Sequence, residues 1–428
     1  MGFVHVGGHG FGPRMRIERY RLQENGLELL VLVDRVAPVV SYQTWFKVGS
    51  RHEEEGKTGI AHLFEHLMFG ETTTTPFGEH DRRLEEAGAE SNAATYLDWT
   101  FYLVNLPSEA LDVTIELEAD RMHNLVLQSE QLESEREVVM NERRQTVDND
   151  VDGSANELLF THAFRAHGYR FPTIGFADDI AALSLEDCRR FYTTYYAPNN
   201  ACLVVVGDVD EKRLFEKLES CYRDIPSAPI PEEVQPEEPP QREERRVVMR
   251  KPTPSPKLLL GYHAPAMAHA DHPPLVLMNE ILFGGRASRV HRRLVHELEI
   301  ASDVTGMVGN FRDPGLWEMS LTAREGVTAE RLLEALDEVL TVREPTESEL
   351  ERARARVELS MLQILETASG KAEQIGFCET VLADPAAIFS RLDAYAKVTL
   401  ADLERVCRGH LAPSSRTVVE VDPLLEDV

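Results

Sequence analysis

The feature that most constrains the fold is a segment rich in proline and glutamate near the middle of the chain. Residues 226–240 contain six prolines among acidic residues, at Pro226, Pro229, Pro231, Pro236, Pro239 and Pro240. Proline lacks a backbone N–H and clashes with the preceding helical turn, so neither a helix nor a central strand can run through this segment. We therefore predict an extended linker over residues 226–256, with one domain on each side.

The length of the chain agrees with two domains. A chain of 428 residues exceeds what one ordinary core organises, whereas two domains of roughly 200 residues each bury most of their apolar surface. Each half mixes β-branched runs with amphipathic patterns, which predicts α+β domains with mostly antiparallel sheets packed with helices. The predicted domains are residues 15–225 and 257–428.

The two halves resemble each other in the order of their elements. A predicted strand over residues 41–49 leads to a helix that ends at Phe69-Gly70, and residues 257–263 lead to a helix that ends at Phe283-Gly284. We interpret the halves as distant copies of one domain.

Composition excludes several classes of partner. The net charge is −28, from 45 basic and 73 acidic residues. Such a balance disfavours nucleic acid and anionic membranes, which bind basic patches. The first twenty residues lack the apolar core of a signal peptide, so we expect a cytoplasmic protein, or a periplasmic one if a leader has been removed. Five scattered cysteines suggest ordinary thiols rather than a disulfide framework.

The pentad His62-Leu63-Phe64-Glu65-His66 carries the clearest chemical signal. On a helix, residues four apart are separated by about 400° of rotation, so His62 and His66 share one face. Two imidazoles suit zinc, and Glu65 is placed to take a proton from water whose pKa the metal lowers. The order His-x-x-Glu-His is the inverzincin signature. By itself, a pentad of this composition also arises on ordinary solvated helices.

A catalytic zinc usually takes a third protein ligand, and residues 129–144 are an acidic stretch that offers one. Glu135 and Glu142 are seven residues apart, about 700° of helical rotation, so they share a face within about 20°. That face offers a ligand and a supporting carboxylate. The alternative is a solvated helix with glutamate–arginine ion pairs, which is common at these spacings.

The pentad, the acidic helix and several flanking phrases together resemble the pitrilysin/insulinase family of zinc metallopeptidases, nearest to its mitochondrial-processing-peptidase-like branch. The resemblance covers nearly the whole chain. The flanking phrases are Asn25-Gly26-Leu27, Asn92-Ala93-Ala94-Thr95, Tyr195-Tyr196-Ala197-Pro198-Asn199-Asn200-Ala201 and Val204-Val205-Val206-Gly207-Asp208-Val209. The resemblance implies two homologous α+β domains that form a half-shell, one half of a clamshell chamber.

The resemblance also implies roles for the residues of the site. The zinc ligands would be His62, His66 and Glu142, which lies 76 residues after His66, with one Zn²⁺ per chain. Glu65 would be the general base, and Glu135 would support a ligand from the outside. For Glu135, a surface ion pair with a nearby arginine is the alternative.

Residues 90–96 are the predicted substrate-binding segment. Their small polar centre suits either an exposed edge strand, where an extended peptide pairs with the backbone, or a simple loop-to-strand turn. The resemblance favours the edge strand, with Asn92 and Ala93 at the peptide-binding positions. Because backbone pairing tolerates many side chains, unfolded peptides are the expected substrates.

The second half departs from the family in one functional phrase. When Gly284 is aligned with Gly70, the pentad positions fall on Val276, Asn279 and Glu280, so no second metal site is expected. The family carries an Arg and a Tyr within R-E-x-x-G-L-A-Y, a pair that helps hold the substrate and the oxyanion. The corresponding positions here are Val295 and Ser302, which lack those donors.

These observations lead to one main hypothesis and two alternatives. The chain would be a zinc-dependent endopeptidase that hydrolyses unfolded peptides in a clamshell chamber. It would be the zinc-bearing subunit of a bacterial-type heterodimer, whose homologous partner supplies the Arg/Tyr pair. The alternatives are a self-sufficient homodimeric peptidase and a non-catalytic scaffold like the core proteins of a respiratory complex.

Overall fold

The structure is a computed structural model that describes residues 2–11, 15–342 and 344–424. The strands are β1 (Phe3–Phe11), β2 (Met15–Leu22), β3 (Glu28–Val33), β4 (Val39–Phe46), β5 (Glu90–Thr95), β6 (Thr100–Pro107), β7 (Ala201–Gly207), β8 (Arg245–Lys251), β9 (Lys257–Ala264), β10 (Ala301–Val308), β11 (Gly315–Ala323) and β12 (Arg416–Pro423). The helices are α1 (Ile60–Leu67), α2 (Glu79–Glu86), α3 (Leu111–Asn124), α4 (Ser129–Arg143), α5 (Val151–Ala163), α6 (Ala177–Ala182), α7 (Leu185–Tyr195), α8 (Glu211–Tyr222), α9 (His272–Phe283), α10 (Ala329–Thr341), α11 (Glu347–Ile364), α12 (Ala368–Leu382), α13 (Ala387–Lys397) and α14 (Leu400–His410). None of the described helices is long and apolar enough to cross a bilayer.

The first sheet has seven strands in the order β1-β2-β3-β7-β4-β6-β5. Neighbours run antiparallel except for the parallel pair β3 and β7. Strand β7 lies inside the sheet, and every residue of its sequence Ala-Cys-Leu-Val-Val-Val-Gly is buried. A continuous apolar run of this kind is typical of a strand covered on both faces. Strand β5, in contrast, forms one edge of the sheet.

The second sheet has five strands in the order β10-β11-β9-β12-β8, with only β12 and β8 parallel. Read from the opposite edge of the first sheet, β5-β6-β4-β7-β3 has the same succession and the same single parallel pair. Helix α9 follows β9 as α1 follows β4. The predicted α+β class, with two related and mostly antiparallel sheets packed against helices, is therefore confirmed.

Two compact units are built from non-contiguous segments. The first comprises Met1–Asn141, Phe171–Val234 and Gln363–Phe389, and the second comprises Glu142–Arg170, Gln235–Leu362 and Ser390–Val428. Within the predicted contiguous ranges 15–225 and 257–428, residues 142–170 lie in the second unit and residues 363–389 lie in the first.

Packing explains which unit each of these segments joins. In the second unit, Asn156 of α5 donates to Glu318 at 3.0 Å, and Lys257 donates to Asp152 at 2.5 Å. In the first unit, α12 passes so close to β4 that a Cβ on Gly376 would lie 2.2 Å from Nε1 of Trp45. Each helix therefore belongs to the unit whose sheet it packs against.

The predicted linker, residues 226–256, contains both irregular chain and a strand. Residues 226–244 form neither helix nor strand, and β8 begins at Arg245 as the edge of the second sheet. All the prolines of residues 226–240 precede this strand. The irregular part is anchored, because Glu238 accepts backbone N–H groups from Arg165, Ala166 and His167 at 2.8–3.1 Å.

Candidate active site

Helix α1 presents the pentad, and its start is defined by a glycine. Gly59 precedes the helix with φ of 84°, a left-handed conformation that side chains other than glycine rarely adopt. A Cβ at this position would lie 2.7 Å from the carbonyl oxygen of Ile174. One face of the helix is buried through Ile60, Ala61, Leu63, Phe64 and Leu67. His62, Glu65 and His66 are half-buried on the other face.

A buried carboxylate holds the N-terminus of this helix. The two oxygens of Glu53 accept the backbone N–H of Gly59 at 2.8 Å and of Ala61 at 2.9 Å. Burial raises the pKa of Glu53 to about 8, against the lowering effect of these two donors. The cap satisfies backbone groups that the first turn of a helix leaves without partners. It thereby fixes the turn that carries His62.

Helix α4 brings Glu142 to the two histidines. Leu132 and Val139 of this helix are buried, and Glu135 and Glu142 are half-buried. The ligand atoms of His62, His66 and Glu142 all lie within 4.8 Å of one another. Within the described ranges, these residues form the only such group of three or more potential metal ligands. The change from the first compact unit to the second falls inside this helix, between Asn141 and Glu142.

The donor set fits zinc. Two imidazoles and one carboxylate are the three protein ligands of a common type of catalytic zinc site, which leaves a position for water. The two rings have centroids 4.9 Å apart and planes at 82° to each other. The two rings are therefore neighbours on one face of α1, and one ligand atom of each lies within 4.8 Å of the other and of Glu142.

Glu135 lies behind one of these rings. Its carboxylate is 3.5 Å from Nδ1 of His66. A carboxylate on the far nitrogen of a metal-ligating histidine fixes the tautomer and orientation of the ring. Arg136, the adjacent arginine, pairs instead with Glu133 at 2.7 Å. The geometry favours a role in supporting His66 over a surface ion pair.

We predict that Glu135→Gln weakens zinc binding about 10-fold to 100-fold, because loss of such an outer carboxylate typically has this effect. The measurement is competitive zinc titration against a fluorescent chelator. Glu133→Gln is the matched control, since its side chain is 68% exposed on the same helix. Equal zinc affinities of Glu135→Gln and the control would contradict this role for Glu135.

Glu65 contacts the edge strand. The hydroxyl of Thr95, the last residue of β5, donates to Oε2 of Glu65 at 2.5 Å. Thr95 belongs to one of the phrases that resemble the family, and the sequence alone predicted no role for it. The available signal was strand alternation, which puts Thr95 on the same face as Ala93.

A pair of buried phenols lies near Glu65. The hydroxyls of Tyr102 and Tyr196 are 3.1 Å apart. Burial raises the pKa of both side chains, and the charge of Glu65 raises it further. The guanidinium of Arg121 lies 4.3 Å from the ring centroid of Tyr102. Both phenols are therefore neutral at neutral pH and add no negative charge near Glu65.

Residues 90–95 form an edge strand rather than a turn. Strand β5 pairs with β6 on one side, and its first three residues are exposed. The side-chain oxygen of Asn92 accepts the backbone N–H of Ala93 at 2.9 Å. The two residues predicted to bind substrate, Asn92 and Ala93, thus lie on a strand whose outer edge is open in the described chain.

The positions that correspond to the pentad in the second unit serve packing. Asn279 accepts from Nε1 of Trp317 at 2.9 Å and donates to the carbonyl oxygen of Gly306 at 2.8 Å. Val276 packs against the second core, and Glu280 pairs with Arg356. At these three positions the second unit thus has ordinary core and surface contacts.

Residues 295–302 align with the family phrase that carries the Arg and the Tyr. Glu299 has φ of 53°, the left-handed conformation that suits the glycine at this point of the family phrase. This agreement supports the alignment that puts Val295 and Ser302 at the Arg and Tyr positions. Val295 packs against the second core, and the hydroxyl of Ser302 donates to the carbonyl oxygen of Thr322 at 3.3 Å.

Comparison with known proteins agrees with this geometry. Residues 30–175 match the family model described as insulinase (peptidase family M16), and residues 182–357 match the one described as peptidase M16 inactive domain. The zinc protease PqqE of Helicobacter pylori is 31% identical over 94% of this chain and 91% of its own length. The mitochondrial-processing peptidase subunit beta of Lentinula edodes is 26% identical over 90% of this chain and 86% of its own length.

A solved structure extends the comparison to three dimensions. The crystal structure of a protease from Helicobacter pylori superposes with a TM-score of 0.89 at 28% identity, covering 95% of this chain and 99% of that one. The inactive-domain model matches the half in which Val276, Asn279 and Glu280 stand at the pentad positions. The chain therefore belongs to the insulinase family of peptidases, peptidase family M16.

Proposed function

We propose that this chain is a zinc-dependent endopeptidase whose metal is held by His62, His66 and Glu142. The observation that carries the proposal is the convergence of these three side chains from α1 and α4. Membership of the insulinase family supports the same activity, as does the name of the Helicobacter relative, a zinc protease.

Each residue has a separate task in the proposed mechanism. Zinc, when bound, supplies a Lewis acid that polarises the scissile carbonyl and lowers the pKa of water. Glu65 takes a proton from the attacking water and later passes it to the leaving amine. Glu135 keeps the ring of His66 in the orientation that a ligand needs.

The proposed substrates are unfolded peptides. An open edge strand recognises a peptide through its backbone, which any extended sequence offers. Strand β5 has such an edge, and its Thr95 contacts Glu65. Most strands of a folded protein are already paired on both sides, so the conformation of the substrate matters more than its sequence.

We further propose that the active form is a heterodimer with a homologous subunit. Val295 and Ser302 stand where the family carries its Arg and Tyr, so these two positions do not supply the family's donors for the oxyanion. The fungal relative is itself named as a subunit of a processing peptidase. A partner that carries the pair would complete the site.

The prediction for the isolated chain is low activity. Loss of one oxyanion donor typically costs about 10²–10³ in kcat, so hydrolysis of a quenched unfolded peptide should rise by about this factor when a homologous subunit with the Arg/Tyr pair is added. The control partner is the same subunit with both residues replaced, Arg by Met and Tyr by Phe. Full activity of the isolated chain, unchanged by either partner, would contradict the heterodimer and favour a self-sufficient homodimer.

A further inference from the structure

Thr95 connects the open edge strand to the proposed general base. We infer that Thr95 is a positioning residue, which orients the Glu65 carboxylate relative to a peptide paired with β5. The inference rests on the proposed function and adds a residue to it.

The backbone of Thr95 faces the open edge. The backbone N–H of Tyr96 donates to the carbonyl oxygen of Trp99 at 2.8 Å, so this N–H points toward the β6 side. The backbone N–H and C=O groups of successive residues in a strand alternate in direction. The backbone groups of Thr95 and Ala93 therefore point away from β6. The hydrogen bond from the Ala93 N–H to the side chain of Asn92 agrees with this direction. A peptide that extends the sheet would therefore pair with the backbone of Thr95.

The side chain of Thr95 faces helix α1. Its hydroxyl donates to Oε2 of Glu65 at 2.5 Å. Threonine is branched at Cβ, so its χ1 rotamers are restricted and the hydroxyl stays where the backbone puts it. Glu65, in contrast, has three rotatable side-chain bonds and is only half-buried. Thr95, which has the shorter and more restricted side chain, thus orients the carboxylate of Glu65.

Thr95 therefore has a backbone with which a bound peptide would pair and a side chain that contacts the proposed general base. A peptide paired with the backbone of Thr95 is placed at a set distance from the hydroxyl that holds Oε2 of Glu65. The hydroxyl thereby orients the Glu65 carboxylate toward the water that attacks the scissile bond. Such alignment lowers the barrier of the chemical step and contributes little to substrate binding.

The test compares Thr95→Val with Thr95→Ser in the chain with its activating partner. Valine keeps the shape and removes the hydroxyl, so kcat should fall about tenfold to a hundredfold, the fold-change for a lost hydrogen bond to a charged group. KM should change less than about twofold, and serine should restore most of kcat. Thr193→Val is the matched control, because Thr193 is exposed on α7 and bonds only to its own helix.

Two measurements without turnover separate positioning from structural damage. Zinc affinity, and the affinity of the zinc-free chain for a labelled unfolded peptide, should be the same in Thr95→Val and wild type. Wild-type kcat in Thr95→Val, or a fall that Thr95→Ser shares in full, would overturn the inference while leaving the proposed function intact. A wild-type chain that hydrolyses no peptide with zinc and partner present would overturn both.

Discussion

Replacing Glu65 by glutamine is expected to lower kcat for peptide hydrolysis about 10²–10⁴-fold, the range that a general base contributes. Glutamine has nearly the same shape as glutamate but cannot accept a proton at neutral pH. Glu65 does not belong to the group of His62, His66 and Glu142 whose atoms converge. Zinc content should therefore stay at the wild-type level.

The measurement combines steady-state kinetics on a quenched peptide with metal analysis of the same preparation. Glu86→Gln serves as the control, because this side chain lies on α2 and is 64% exposed. The dissociation constant of the peptide should change little in Glu65→Gln, since the edge of β5 is intact. A variant that keeps wild-type kcat would remove Glu65 from the mechanism, and one that loses zinc as well would give Glu65 a role in the metal site.

Replacing Glu142 by glutamine is expected to weaken zinc binding by more than the roughly 10-fold to 100-fold that loss of an outer carboxylate costs. Glu142 supplies the only anionic ligand of the three, and a neutral amide oxygen is a poorer ligand for Zn²⁺. Activity should fall with occupancy and recover partly at high zinc concentration.

Thermal unfolding reports on the same change without turnover. Zinc at 100 times its dissociation constant stabilises the native state by about 2.7 kcal/mol, and this gain should disappear in Glu142→Gln at the same zinc concentration. Glu137→Gln, an exposed position on the same helix, is the control. Equal zinc-induced stabilisation of the Glu142→Gln variant and wild type would show that the ion binds elsewhere.

Helical spacing explains why part of the site could be predicted from the sequence. A helix rotates by about 100° per residue, so the shared face of His62 and His66, and that of Glu135 and Glu142, follows from counting alone. The pairing of these two faces does not follow from counting. The choice of Glu142 as the residue that meets His66 came from the family's spacing, and the structure brings these side chains together.

Other features depend on contacts between elements distant in sequence, which local patterns do not encode. Thr95 meets Glu65 because β5 is the neighbour of α1 in the folded chain, although 30 residues separate them. Helices α5 and α12 join sheets on the far side of the predicted boundaries, because packing faces decide which sheet a helix covers. Strand β8 lies within the predicted linker for a similar reason, since its partner β12 comes from the end of the chain.

If this chain hydrolyses peptides with zinc held by His62, His66 and Glu142, as we propose, its activity depends on the metal and on all three side chains. The most direct measurement is hydrolysis of an unfolded peptide by the chain together with the proposed homologous subunit, first stripped of metal by a chelator and then titrated with zinc. Activity should vanish on chelation and return in proportion to zinc, saturating near one ion per chain, with no comparable return in Glu142→Gln. Hydrolysis that survives complete removal of zinc, or that zinc restores equally in Glu142→Gln, would contradict zinc catalysis at this site.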